Sequence, residues 1–201
     1  MSSATAVSEH APVHHSGEST GVTNAKLGIW LFLASEIMLF STLFTTYIVL
    51  RLGAASWPRG WDVLNVPLGM INTFVLITSS VTMVMAYAKA HEKNLKGFQT
   101  YMSLTIFLAF VFLINKGIEY SAHFRHNEFP STSIFHAVYF TLTGLHGLHV
   151  IGGIIVNSTL LYLSKTDFEH PLFLGRVEGA GLYWHFVDIV WIFLFPALYL
   201  L

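Results

Sequence analysis

Five apolar segments, each long enough to cross a lipid bilayer, constrain the fold of this 201-residue chain most strongly. A helix rises about 1.5 Å per residue, so about 20 apolar residues cross a hydrocarbon core of about 30 Å. Because hydrocarbon offers the backbone no hydrogen-bond partners, spanning segments form helices and not open strands. The sequence therefore predicts an all-α, polytopic membrane protein built as a bundle of five transmembrane helices. The helices are expected at residues 27–50, 67–87, 98–120, 134–163 and 179–201.

The composition supports this prediction and excludes several kinds of site. Hydrophobic residues make up 54% of the chain and charged residues 10%, whereas a soluble domain carries about 25% charged residues. The net charge of −1 gives no electrostatic reason to expect a nucleic-acid partner. The absence of cysteine excludes disulfides, iron–sulfur clusters and thiolate metal sites within this chain.

The polar N-terminal segment, residues 1–24, is predicted to be a disordered tail because it lacks the apolar residues needed for a core. Its histidines, His10, His14 and His15, could bind a metal, but nothing rigid presents them, and no metal site is expected. Residues 25–201 are predicted to form one five-helix domain, since all the linking segments are short.

The distribution of lysine and arginine predicts the orientation of the chain, because cytoplasmic flanks carry an excess of both. With the N-terminus inside, six basic residues flank the inner ends of the spans, against four at most outside. We therefore expect a cytoplasmic N-terminus and an external C-terminus. The inner residues are Lys26, Lys89, Lys93, Lys96, Lys165 and Arg176, and the outer ones are Arg51, Arg59, Arg125 and Lys116.

One carboxylic acid, Glu36, interrupts the first apolar segment about 14 Å from its start, near the middle of the membrane. An acid at this depth is costly, so it usually faces other protein, a lipid headgroup or a proton path. Its apolar surroundings predict a buried carboxyl that organises a helix contact and a lipid contact.

Lys116 and Glu119 lie three residues apart near the end of the third segment, so their side chains can meet on one helix face. We expect an ion pair near the outer interface, with the lysine extending its ammonium group towards water. This interpretation is preferred to a role in carrying protons.

The fourth segment places His146 and His149 on one face, next to Gly144 and Gly147, which are spaced for close helix approach. We expect the two histidines to hydrogen-bond across a helix contact made tight by the glycines. In the fifth segment, the same three-residue spacing predicts that Asp188 pairs with His185, although His146 or His149 could also serve.

Two other functions remain open from the residues alone. A haem-binding membrane cytochrome could use His149 and His185 as axial ligands, and a Soret band of the isolated chain would reveal it. A small transporter could use Glu36 and Lys116, and flux into liposomes would test it.

Four motifs resemble subunit III of the haem–copper terminal oxidases. In order, they are ASEIMLFS at residues 34–41, FLINKGIEY at 112–120, HGLHVIGG at 146–153 and YWHFVDIVW at 183–191. The resemblance runs collinearly over residues 24–201. It corresponds to the short, five-helix bacterial form, in which two N-terminal helices of the seven-span form are missing.

The resemblance implies a non-redox subunit of a proton-pumping respiratory oxidase that reduces oxygen to water, with cytochrome c or a quinol as donor. Haems and copper then belong to partner subunits I and II, and this chain has no catalytic centre and no metal ligand of its own. It is expected to pack on subunit I, bind phospholipid and support sustained turnover and proton uptake. Small subunit IV and a respiratory supercomplex are further possible partners, and the implied location is the bacterial inner membrane.

Several residues match polar positions of that family. Glu36 corresponds to the buried glutamate, and Lys165 falls near a basic contact to a lipid phosphate. Lys116 stands where many members have a neutral glutamine, which favours its pairing with Glu119. With two helices absent, the lipid cleft of the family cannot be complete within this chain. The remaining intramembrane positions that match are Glu119, His149, His185 and Asp188.

Overall fold

The computed structural model describes residues 24–201, so the predicted N-terminal tail and its three histidines lie outside the described residues. Within this range the chain is helical, and no strand occurs. The elements are α1 (Asn24–Gly53), α2 (Gly60–Val63), α3 (Val66–His91), α4 (Leu95–Arg125), α5 (Ile134–Leu163), α6 (Phe173–Phe195) and a π-helical turn (Pro196–Leu200).

Five helices, all except α2, are long and apolar enough to cross a membrane, which confirms the predicted all-α architecture. The helices extend beyond the apolar segments because polar residues continue them into the interface. The expected link at residues 88–97 shortens to residues 92–94. Lys93 adopts a left-handed φ of 56° there, and the Asn94 side chain caps α4 by accepting from the Gly97 amide.

The last span differs from its prediction at both ends. Helix α6 begins at Phe173 rather than at residue 179, and it gives way to the π-helical turn at Pro196. Proline has no N–H to continue the helical hydrogen-bond ladder, which accounts for the change of winding at this residue. The turn packs against α2, where a Cβ on Gly60 would overlap the Leu198 carbonyl.

Helices α3, α4 and α6 form the centre of the bundle. The indole N–H groups of Trp184 and Trp191 on α6 donate to Ser79 (3.1 Å) and Thr73 (3.0 Å) on α3. The Asn115 amide of α4 donates to Asn72 of α3 over 2.9 Å. Hydrogen bonds of this kind join transmembrane helices that have no hydrophobic drive to associate within lipid.

Helix α1 is attached to this centre only along one narrow stripe. In its most apolar window, 11% of residues are buried, against 44% in the last span. The buried side chains Leu33, Phe40 and Tyr47 recur every seven residues, and Glu36 lies on the same stripe. The rest of α1 faces outward, so the helix leaves open grooves on either side of its contact line.

The expected close approach at Gly144 and Gly147 is wrong. A Cβ on Gly147 would meet nothing within 4 Å, and one on Gly144 would lie 3.8 Å from the Tyr120 hydroxyl. The tight contact lies further along α5 at Gly153, where a Cβ would overlap the ring of Trp184. Glycine at 153 therefore lets α5 and α6 pack closely.

We expect Gly153→Ala to lower the free energy of unfolding by about 1–3 kcal/mol, because the new methyl group must displace the Trp184 ring. Gly147→Ala is the matched control: it adds the same methyl group to the same helix in open space, and alanine favours helix formation. Thermal unfolding of the full chain in detergent compares the two. Equal melting temperatures for both variants would contradict the assigned contact.

Candidate functional site

One buried polar cluster is centred on Lys116 of α4, whose residue is 6% exposed. Its ammonium group donates to Glu119 Oε2 over 2.9 Å, so the predicted pair is in contact. It also donates to the hydroxyls of Tyr139 (3.0 Å) on α5 and Tyr199 (2.9 Å) in the π-helical turn. These three acceptors use all three donors of the ammonium group.

Aromatic rings complete the surroundings of Lys116. Its nitrogen lies 5.0–5.6 Å from four ring centroids, which belong to Tyr120, Tyr139, Trp191 and Tyr199. The Tyr199 hydroxyl donates to the second Glu119 oxygen over 2.6 Å. The expectation that Lys116 extends towards water is therefore wrong, because every donor has an acceptor inside the bundle and ring faces attract the cation.

Tyr199 reaches this cluster because the π-helical turn is held in place by α1. The Tyr47 hydroxyl donates to the Ala197 carbonyl over 2.5 Å. Arg51 donates to the Tyr47 hydroxyl (3.0 Å) and to the Leu201 carbonyl (2.7 Å). The last carbonyls of the π-helical turn, which lack partners within the helix, thus find donors on α1, and Tyr199 is fixed beside Glu119.

The second cluster joins Glu36 of α1 to His149 of α5. His149 Nε2 lies 2.8 Å from Glu36 Oε2, and His149 Nδ1 lies 2.8 Å from the Leu145 carbonyl oxygen. A carbonyl only accepts, so Nδ1 carries a hydrogen and donates it. Nε2 and the carboxyl then share one further proton, and the pair is neutral overall wherever that proton lies.

His146 makes no hydrogen bond across a helix contact, so that expectation is wrong. Its residue is 0% exposed, and neither ring nitrogen has a partner among residues 24–201. The ring instead packs between aromatic side chains, with centroids 5.2 Å from Trp191 and 5.7 Å from Phe112. Ring packing therefore replaces hydrogen bonding at this position.

The predicted pair of His185 with Asp188 is also wrong. His185 Nδ1 lies 2.6 Å from the Ser80 hydroxyl of α3. Asp188 is 3% exposed, and neither of its carboxyl oxygens makes a hydrogen bond to His185. The spacing on α6 permitted the pair, but Ser80 on the neighbouring helix engages the histidine instead.

These contacts bear on the two alternative functions. Both ring nitrogens of His149 are engaged, by Glu36 and Leu145, which leaves neither for a haem iron. Glu36 and Lys116 belong to separate clusters on different helices, so they do not form one polar path. Neither the cytochrome nor the transporter hypothesis gains support from the geometry.

Comparison with known proteins accounts for the four sequence motifs. Residues 5–201 match the family described as cytochrome c oxidase subunit III. The chain belongs to the cytochrome c oxidase subunit III family. Membership makes it part of an oxidase complex, in which subunit III is a non-catalytic component.

Individual relatives of this subunit III chain carry two kinds of name. It is 35% identical to cytochrome c oxidase subunit 3 of Alkalihalophilus pseudofirmus, over 100% of this chain and 98% of the relative. It is 37% identical to quinol oxidase subunit 3 of Bacillus subtilis (strain 168), over 96% of this chain and 93% of the relative. Cytochrome c oxidase subunit 3 of Corynebacterium diphtheriae is 36% identical, over 86% of both chains.

Glu36→Leu is expected to loosen α1, because it removes the polar link to His149 from a helix held by one stripe. Glu36→Gln is the matched control, since its amide can donate to the neutral Nε2 and retain the link. Spin labels on Val49→Cys and Leu148→Cys, in a chain without other cysteines, measure the distance between α1 and α5. The distribution should broaden for the leucine variant only, and equal broadening in both variants would contradict this role.

Lys116→Met is expected to destabilise the subunit by about 3–5 kcal/mol, because it leaves the buried Glu119 charge without its counterion. Lys116→Met combined with Glu119→Gln removes both charges and should restore part of that loss. Chemical unfolding in lipid nanodiscs measures the double-mutant cycle. Strictly additive effects of the two substitutions would show that the pair has no coupling energy.

Proposed function

We propose that this chain is the non-redox subunit III of a proton-pumping aerobic oxidase, in which it packs on subunit I and binds phospholipid. In this role it supports sustained turnover and proton uptake, while haems and copper reside in subunits I and II. Small subunit IV or a supercomplex would attach to the same assembly. The observation that supports this function best is the pair of apolar grooves beside α1.

The first groove, between α1, α5 and α6, has a volume of about 660 Å³. Ile29, Phe32 and Val156 are among its apolar lining residues, and Arg176 is its basic residue. An apolar groove of this size accommodates acyl chains, and a guanidinium group binds phosphate through paired hydrogen bonds. A phospholipid with its tails in the groove and its phosphate at Arg176 therefore suits this surface.

The second groove, on the other side of the α1–α6 contact, has a volume of about 690 Å³ and a similarly apolar lining. Phe40 and Phe186 meet there edge to face, with ring centroids 6.1 Å apart. Two open grooves around a loosely attached α1 fit a subunit whose lipid cleft is completed by helices of a partner. Subunit I is the partner we propose for that surface.

Glu36 and Lys165 remain proposed lipid contacts with different support. The Glu36 carboxyl is partly buried and bonded to His149, whose carbonyl accepts a hydrogen bond from Tyr183 in the first groove (2.9 Å). Lys165 is exposed just after the end of α5, at the same end of the bundle as Arg176. Arg176 lines the groove, whereas Lys165 does not, so Arg176 is the better candidate for the phosphate contact.

The membrane orientation is proposed from the basic residues at the ends of the bundle. Lys116 is buried inside it and no longer counts as an outer flanking residue. Six basic residues then stand at the inner ends of the spans, against three at the outer ends. This difference favours a cytoplasmic N-terminus and an external C-terminus in the bacterial cell membrane.

Purification of the complex through a tag on this chain tests the proposal. We expect a haem-containing subunit I to co-purify, together with retained phospholipid. Thr159→Trp fills the first groove and should reduce phospholipid per haem and hasten the loss of oxygen consumption during turnover. Val81→Trp is the matched control, because it makes a similar substitution on the exposed face of α3, away from both grooves.

Two results would count against the proposal in different ways. Recovery of the chain without any haem-containing partner would contradict its role as an oxidase subunit. Equal phospholipid content and equal persistence of activity in Thr159→Trp and Val81→Trp would leave the oxidase role intact and contradict the lipid site.

A further inference from the structure

Three metal-ligand side chains converge where the end of α4 meets the start of α5. They are His123 of α4, Glu128 of the link between the helices and His136 of α5. His123 Nδ1 lies 2.5 Å from Glu128 Oε2, and His136 Nε2 lies 3.7 Å from the same oxygen. All three potential ligand atoms lie within 4.8 Å of one another.

The local backbone fixes this arrangement. Asn127 has a left-handed φ of 59°, and the Glu128 amide donates back to the His123 carbonyl over 3.0 Å. This turn folds Glu128 over the end of α4. On the other side, Ser133 caps α5, and its hydroxyl lies 2.8 Å from His136 Nδ1. That contact orients the ring so that Nε2 of His136 is directed towards Glu128. In metal sites, a group bonded to one imidazole nitrogen orients the other nitrogen towards the metal in the same way.

His136 supplies the observation that points to a ligand. Its residue is 8% exposed, and Nε2 has no hydrogen-bond partner within residues 24–201. The separation of 3.7 Å from Glu128 is too long for a hydrogen bond. A buried imidazole nitrogen aimed at a carboxylate, but not bonded to it, is suited to share that carboxylate with an ion.

The surroundings of the three side chains also suit a hydrated cation. An adjacent cavity of about 370 Å³ is lined by His123, Glu128 and His126, and it has room for water as a further ligand. Two imidazoles, one carboxylate and a water form a ligand set typical of an accessible zinc site.

We propose that His123, Glu128 and His136 bind a divalent transition-metal ion of the zinc class, with water from the cavity as the fourth ligand. Bonds of about 2.0–2.2 Å to a tetrahedral ion require ligand atoms to lie roughly 3.3–3.6 Å apart. The 3.7 Å between His136 Nε2 and Glu128 Oε2 is close to this range. The distance of 2.5 Å between His123 Nδ1 and Glu128 Oε2 is shorter, and it lengthens when the Glu128 side chain turns on the link between the helices. The Glu128 side chain is 34% exposed, which leaves it room to turn.

The site is tested with the full chain in lipid nanodiscs, purified through a tag without histidine. His10, His14 and His15 are replaced by alanine throughout, so that they contribute no binding. We expect one Co²⁺ per chain, with the visible absorption of four-coordinate cobalt, and displacement by one equivalent of Zn²⁺ but not by Mg²⁺. Glu128→Gln and His136→Gln should each weaken Zn²⁺ binding by more than about tenfold.

His91→Ala is the control, because His91 is exposed at the opposite end of the bundle, and it should bind Zn²⁺ like the parent chain. X-ray absorption of zinc on the parent chain gives a readout that does not depend on the folding of any variant. A shell with two imidazole ligands supports the site. No metal uptake, a zinc shell without histidine, or unchanged affinity in both glutamine variants would overturn it.

Discussion

The hydrocarbon interior offers polar side chains no partners, and this constraint determines how the helices of the subunit are joined. Within lipid the helices have no hydrophobic drive to associate, because lipid tails are as apolar as leucine, so close packing and polar contacts hold them together. Among the polar contacts, Lys116 binds groups on α5 and the π-helical turn, and Glu36 ties α1 to α5. Each cluster that provides hydrogen-bond partners for a buried polar side chain therefore also fixes the relative position of the helices that it joins.

The spans and one ion pair were predictable from sequence because both depend on local properties. Length and absence of charge mark a span, and a three-residue spacing brings Lys116 to Glu119 on one helix. The same spacing failed for His185 and Asp188, because Ser80 arrives from another helix and engages the histidine. Spacing along one helix shows which contacts are possible, whereas neighbouring helices decide which are made.

The two tyrosines that bind Lys116 differ in how far the sequence indicated them. His136, Tyr139, Thr143 and His146 follow helical periodicity, and all four are buried on one face of α5. A polar stripe of this kind marks an inward face in a membrane helix, so Tyr139 could have been recognised as a partner. Tyr199 carried no such signal, because its position depends on the change of winding at Pro196 and on Tyr47 of α1.

The polar residues of α4 show how the buried pair and the proposed ion site depend on each other. Phe112, Lys116, Glu119 and His123 recur at helical spacing on its buried face, which changes from apolar to polar towards the helix end. Glu119 lies one turn from His123, and both line the same cavity. Tyr139 contacts both parts, since its hydroxyl accepts from Lys116 and its ring lies 5.6 Å from that of His123. An ion held by His123 would therefore add positive charge one helical turn from the Glu119 carboxylate, and Tyr139 contacts both sites.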